Sequence, residues 1–111
     1  TSTVHELRDG EVRTYDVDPA ALGLAGGTLD DLRGGDASVN ARLSHEILAG
    51  QPGPRADIVV LNAAAGLVAA GLVDTVAEGV EAALASLSEG KAAAALERIV
   101  AESQAARAAG L

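Results

Sequence analysis

Thr3-Val4-His5-Glu6-Leu7-Arg8-Asp9-Gly10-Glu11-Val12-Arg13-Thr14-Tyr15-Asp16-Val17 is two β-prone runs joined by Asp-Gly, the dipeptide of two-residue type I′ turns. A two-residue turn fixes the register. Arg8 then faces Glu11, Leu7 faces Val12, Glu6 faces Arg13, His5 faces Thr14 and Val4 faces Tyr15. Two opposite-charge pairs fall on one face and an apolar pair on the other, as cross-strand energetics favour. The stretch is read as a β-hairpin.

Downstream, the punctuation turns helical. Asp18-Pro19 places an N-cap before a proline at the first position of a short turn, which Gly23, Gly26 and Gly27 break. Thr28 and Asp31 imitate a capping box for a single turn from Leu29 to Arg33, closed by Gly34. Asp36 caps a helix running to about Ala49, with Val39, Leu43 and Ile47 as its apolar stripe. Gly50 ends it, and Gln51-Pro52-Gly53-Pro54 makes a stiff connector to an apolar helix from about Arg55 to Val73. Thr75 with Glu78 is a capping box for the next, whose expected inner face is Val76, Val80, Leu84 and Leu87. After Gly90, a last helix from about Lys91 to Ala108 is expected to bury Leu96, Ile99 and Val100. The fold class is therefore α+β: a hairpin over 1–17, short turns over 18–35 and four longer helices over 36–111.

The 111 residues allow one domain. With no Phe, Trp, Met or Cys and a single Tyr, the core must come from Leu, Val, Ile and Ala. Ala buries little area, so each helix contact is worth less than a Leu or Phe contact. Such a domain is expected to lean on a partner surface. The chain opens at Thr1 directly in an extended run, the pattern expected of a fragment or processed chain.

Sixteen acidic residues against eight basic ones give a formal charge of −8. Nucleic acid and anionic membranes are then poor partners, because phosphate neutralisation needs Lys and Arg. Ala56 to Val73 contains Asp57, Asn62 and two glycines, so it reads as a buried helix rather than a membrane span. No signal peptide or cysteine framework is visible, and a cytoplasmic location is expected.

No catalytic constellation emerges from the residues. His5 lies on the Leu7 face of the hairpin and His45 sits mid-helix beside Glu46, neither with an evident third group to converge on. Asp30 and Asp31 point about 100° apart on a helical turn, and Asp16 with Asp18 is better explained by capping. Gly34-Gly35-Asp36 precedes a helix N-terminus, but the Asp36 carboxylate would occupy the anion position itself. Asn40 and Asn62 are poor mid-helix residues that want partners, and each is expected to tie its helix to a neighbouring loop, Asn62 from a buried position.

Those asparagines sit in a run of three segments. Gly34-Gly35-Asp36-Ala37-Ser38-Val39-Asn40-Ala41, then Ile47-Leu48-Ala49-Gly50 with Gly53-Pro54-Arg55-Ala56-Asp57, then Val60-Leu61-Asn62-Ala63-Ala64-Ala65 resembles the C-terminal region of anthranilate phosphoribosyltransferases. Thr1-Ser2-Thr3-Val4 with Asp9-Gly10, Asp18-Pro19 and Gly23, and later Glu78-Gly79 and Ser88-x-Gly90-x-Ala92, extend the resemblance over nearly the whole chain. It implies that residues 1–111 are the C-terminal part of one α/β catalytic domain of the nucleoside phosphorylase/phosphoribosyltransferase type. It implies a parent enzyme that transfers phosphoribose from phosphoribosyl pyrophosphate to anthranilate in tryptophan biosynthesis, with magnesium assisting and a homodimer formed by another domain. The family's Gly-Thr-Gly-Gly-Asp phosphate loop and Lys-His-Gly segment have no counterpart here, and its Asp-Glu magnesium motif would lie before Thr1. No catalytic, cofactor-binding or metal residue is therefore carried onto this numbering, and the chain alone is expected to be inactive. The other readings are a free-standing helical interaction module and a segment of a related nucleoside phosphorylase.

Overall fold

The computed structural model describes residues 1–111. Strands β1 (Ser2–Arg8) and β2 (Glu11–Val17) form the hairpin in the expected register, extended by Thr3 opposite Asp16 and Ser2 opposite Val17. Asp9 at φ 53° and Gly10 at φ 80° make the turn, and both positive angles suit a type I′ geometry. A 3₁₀ turn over Ala20–Leu22 follows, with the Asp18 carboxylate accepting from the Ala20 amide at 3.1 Å. The helices are α1 (Ala37–Leu48), α2 (Pro54–Ala69), α3 (Val76–Ser88) and α4 (Lys91–Ala108). None is long and apolar enough to cross a membrane.

Helix α2 stops four residues short of the expected Val73, because Gly71 takes φ 70° and caps the end. The Thr28–Asp31 box forms its bonds, yet the segment stays a turn with Leu32 to Leu29 and Arg33 to Asp30 contacts only. One turn cannot offset the cost of helix nucleation. The Thr75–Glu78 capping box is complete in both directions and opens α3.

The core is the crossing of α2 and α3 with Leu24 laid over it. Val60, Ala64, Val80, Ala83 and Leu24 are its buried side chains. The helices meet most closely where Gly79 lies on Ala64, which is 0% exposed. That contact sets the rotation of α3. Its inner face is Val76, Gly79, Val80, Ala83 and Leu87, and the expected Leu84 is 48% exposed. On α4 the expected burial of Ile99 and Val100 is also corrected: Ile99 is 65% exposed and Val100 is exposed too, and half-burial on this helix is confined to residues 92–96 and Ala106.

The chain is open for its size. Its radius of gyration is 16.0 Å, where a compact chain of this length has about 13 Å. Its accessible surface is 7679 Å², whereas a folded monomer of this mass exposes roughly 5,600 Å².

Candidate functional site

An open groove of about 850 Å³ lies between the hairpin and α2. Its floor is the α2 face bearing Ile58, Leu61, Asn62, Ala65 and Val68. Its roof is the hairpin face carrying Val4, Glu6, Arg8, Tyr15 and Val17, all half-buried. The charged face of the hairpin thus turns inward. Leu7 and Val12, the apolar pair, point out at 73% and 68% exposure.

The charges anticipated to pair across the strands pair along them instead. Arg8 Nε meets Glu6 at 2.7 Å, and Arg13 reaches Glu11 at 4.0 Å. Arg8 is drawn away because its guanidinium also donates to the Asp74 carbonyl at 3.1 Å and lies 3.8 Å from the Asp74 carboxylate. This contact fastens the hairpin to the loop before α3. Burial, and next the Glu6 carboxylate, hold the Tyr15 hydroxyl protonated above its ordinary range. Asn62 is corrected: it is exposed at the groove, and its amide donates to the Ile58 carbonyl at 2.8 Å in its own helix rather than to a neighbouring loop.

A second cluster holds the Gly23–Asp36 loop on the helices. The Asp57 carboxylate accepts from the Ala25 and Gly26 amides at 2.8 and 3.2 Å, which anchors Leu24 in the core. Arg55 donates to the Arg33 carbonyl at 2.9 Å. Asn40 does what was expected of it: its amide takes the Gly35 N–H at 2.9 Å and gives to the Gly35 carbonyl at 3.0 Å. Sequence reasoning missed Asp57 as a loop clamp. Its signal was an acidic side chain in the first turn of a helix, two residues after the end of Gly53-Pro54-Arg55.

Asp36 caps α1, accepting from the Val39 amide at 2.9 Å and the Ser38 hydroxyl at 2.8 Å, so the anion position is filled from within. Those bonds lower its pKa, as the Thr28 backbone and hydroxyl lower that of Asp31. A depressed folded-state pKa contributes stability that is present above the unfolded value, about 3.9 for Asp, and is lost as pH falls through the folded value. Urea midpoints should therefore hold steady near neutrality and drop once pH passes below about 4. Asp36→Asn should flatten part of that drop, and an unchanged acid limb would remove Asp36 from the account.

The remaining candidates do not converge. His5 Nδ1 lies 3.0 Å from the Thr14 hydroxyl on the outer hairpin face, while His45 is exposed on α1. Asp30 pairs with Arg33 at 2.6 Å, away from Asp31. No three His, Asp or Glu side chains come together.

Comparison with known proteins places this sequence in a family. The chain is 48% identical over 98 residues to an anthranilate phosphoribosyltransferase of Symbiobacterium thermophilum, covering 88% of this chain and 29% of that protein. It is 47% identical over 106 residues to the enzyme of that name from an Arthrobacter species, covering 90% and 30%. The Rhizobium rhizogenes enzyme of the same name gives 44% over 103 residues, covering 93% and 30%. The chain thus spans about three-tenths of the length of these relatives. A family model described as "Glycosyl transferase family, a/b domain" matches residues 1–93, from β1 into the first turn of α4, and the chain belongs to that family.

Proposed function

We propose that the chain is the C-terminal structural portion of an anthranilate phosphoribosyltransferase, contributing a hairpin and four helices to one α/β catalytic domain. The observation that carries this is the pattern of similarity, nearly all of this chain against under a third of relatives bearing that name. The open build supports it, since about 2,000 Å² of surface is exposed beyond what a closed monomer of this mass shows. On this reading the complete enzyme is cytoplasmic and homodimeric. It joins the phosphoribose of phosphoribosyl pyrophosphate to the amine of anthranilate, releasing pyrophosphate, in tryptophan biosynthesis.

The chain's own share is scaffold rather than chemistry. A pyrophosphate leaving group needs uncommitted cationic donors or a metal. Arg8, Arg13, Arg33 and Arg42 already meet carboxylates, Lys91 meets Glu89 and Arg55 donates to the Arg33 carbonyl, while Arg98 and Arg107 stand exposed on α4 outside the groove. Nor do these residues make a magnesium site: Asp31 and Asp36 are committed to local amides and hydroxyls, Asp30 to Arg33 and Asp57 to the Ala25 and Gly26 amides, and no three carboxylates converge, so on this reading the ligands belong to the rest of the enzyme.

Assayed with anthranilate, phosphoribosyl pyrophosphate and magnesium, the purified chain is expected to give no turnover. Co-expression with the part of the Arthrobacter enzyme that it does not match should restore it. Turnover by the chain alone would contradict the scaffold role. A restored complex that cleaves nucleosides with phosphate, and ignores anthranilate, would favour the nucleoside phosphorylase reading.

A further inference from the structure

Asp9 differs from every other aspartate in the chain. The others each hold a partner, an amide, a hydroxyl or a guanidinium, from Thr3 on Asp16 to Arg8 on Asp74. The Asp9 carboxylate stands exposed at the tip of the hairpin without one. Asp9 is also the one aspartate followed by glycine, and neither asparagine is. A carbon built on Gly10 meets nothing within 4 Å, so no side chain crowds the Gly10 nitrogen. Among residues other than glycine, Asp9 alone has a positive φ, at 53°.

A free carboxyl beside an unhindered amide nitrogen is the arrangement that closes to a five-membered imide, and the turn decides when it closes. In a type I′ turn the first central residue has ψ of about 30°, which sets the Gly10 nitrogen nearly opposite Cβ across the Cα–C bond. The nitrogen then faces away from the carboxyl. Ring closure needs the peptide plane to swing round, and the turn must open for that. Opening is within reach, because a two-stranded sheet is marginal without further packing. The tip is fastened to the helical part through Arg8 on Asp74. Opening also relieves the left-handed backbone of Asp9, which a residue with a Cβ adopts at a cost.

We propose that Asp9-Gly10 is a self-modification site, gated by the hairpin turn, at which the backbone passes through a succinimide to an isoaspartyl bond. The Gly10 nitrogen bonds to Asp9 Cγ, and the carboxyl hydroxyl leaves with the amide proton as water. A second water then adds to one of the two ring carbonyls. Attack at Cγ restores Asp9. Attack at the α-carbonyl breaks its bond to nitrogen and leaves Gly10 joined through Cγ. The sequence is redox-neutral, and the water expelled is balanced by the water added. The isoaspartyl form carries one more backbone carbon between the two residues, so the two-residue turn no longer closes Arg8 on Glu11 and the hold of Arg8 on Asp74 loosens. The partner this site suits is an enzyme that methylates the free α-carboxylate of an isoaspartyl residue.

Tryptic mapping of the aged chain, incubated folded and in urea, tests this. The peptide from Asp9 to Arg13 should split into two forms of equal mass, one of them labelled by an isoaspartyl methyltransferase, and no other aspartate of the folded chain should follow. Conversion should run at least threefold slower in the folded chain than in urea. Arg8→Ala, with its helices still folded by circular dichroism, should quicken the folded chain at least threefold and leave the urea rate unchanged. Asp9→Asn keeps a type I′ turn and expels ammonia instead of water, so it should convert at least tenfold faster. Equal rates folded and in urea, label elsewhere but not at Asp9, or no second form from the folded chain once the urea sample is complete would each overturn the proposal. So would an Arg8→Ala or Asp9→Asn chain that ages no faster than the unchanged one.

Discussion

Gly79→Ala is expected to destabilise the chain and Gly66→Ala to stabilise it, although both glycines lie inside long helices. An alanine normally improves a helix interior by roughly 0.5–1 kcal/mol over glycine. At Gly66 nothing lies within 4 Å of the added carbon, so that gain should appear undiminished. At Gly79 the same carbon would sit 2.8 Å from the Cα and carbonyl oxygen of Ala64 and 2.9 Å from its Cβ. Two of those three atoms are backbone, which cannot rotate away. The helices must part, and Val60 and Val80 lose contact on either side. Overpacking of this kind costs about 1–3 kcal/mol, enough to outweigh the helix gain. Urea melts of both variants decide it: midpoints moving in the same direction would mean α2 and α3 do not cross at this contact.

Val60→Ala should be the most damaging truncation. Val60 is 2% exposed and is the one large side chain fully enclosed, with no aromatic or Met nearby to settle into the space. Two lost methyl groups and the cavity they leave amount to about 2 kcal/mol. Only six residues of 111 are buried, so that loss falls on a small total. Val59, a neighbour of the same type at 41% exposure, is the control. Val59→Ala should shift the midpoint by under about 0.5 kcal/mol in this chain, as surface changes do. Equal shifts at the two positions would contradict the placement of the core.

Local chemistry carried most of the fold into view. The Asp9-Gly10 turn dictated all five expected pairs, and the caps at Asp36 and Thr75 with the glycine at 90 bounded the helices. What stayed hidden were choices made between elements. Leu84 is four residues from Val80 and fits an apolar stripe, but close approach at Gly79 turns it outward. Ile99 and Val100 fit a stripe on α4 that nothing in this chain covers. Asn62 reads as buried only if its helix is enclosed on every side, and one side is the groove. The pairing of Arg8 with Asp74 across 66 residues has no local signature at all. These misses share a cause: apolar patterning reports faces that require cover, not the chain segment that provides it.

Sedimentation velocity in the presence of a hydrophobic dye measures that shortage of cover. Dye binding and self-association are expected of the chain alone, both suppressed when the unmatched part of the Arthrobacter enzyme is co-expressed with it. Leu7, Val12, Ile58, Leu72 and Ile99 supply the exposed apolar surface. A monomer that binds no dye and unfolds in one cooperative step would contradict it, and would mark the chain as a module that closes its own core.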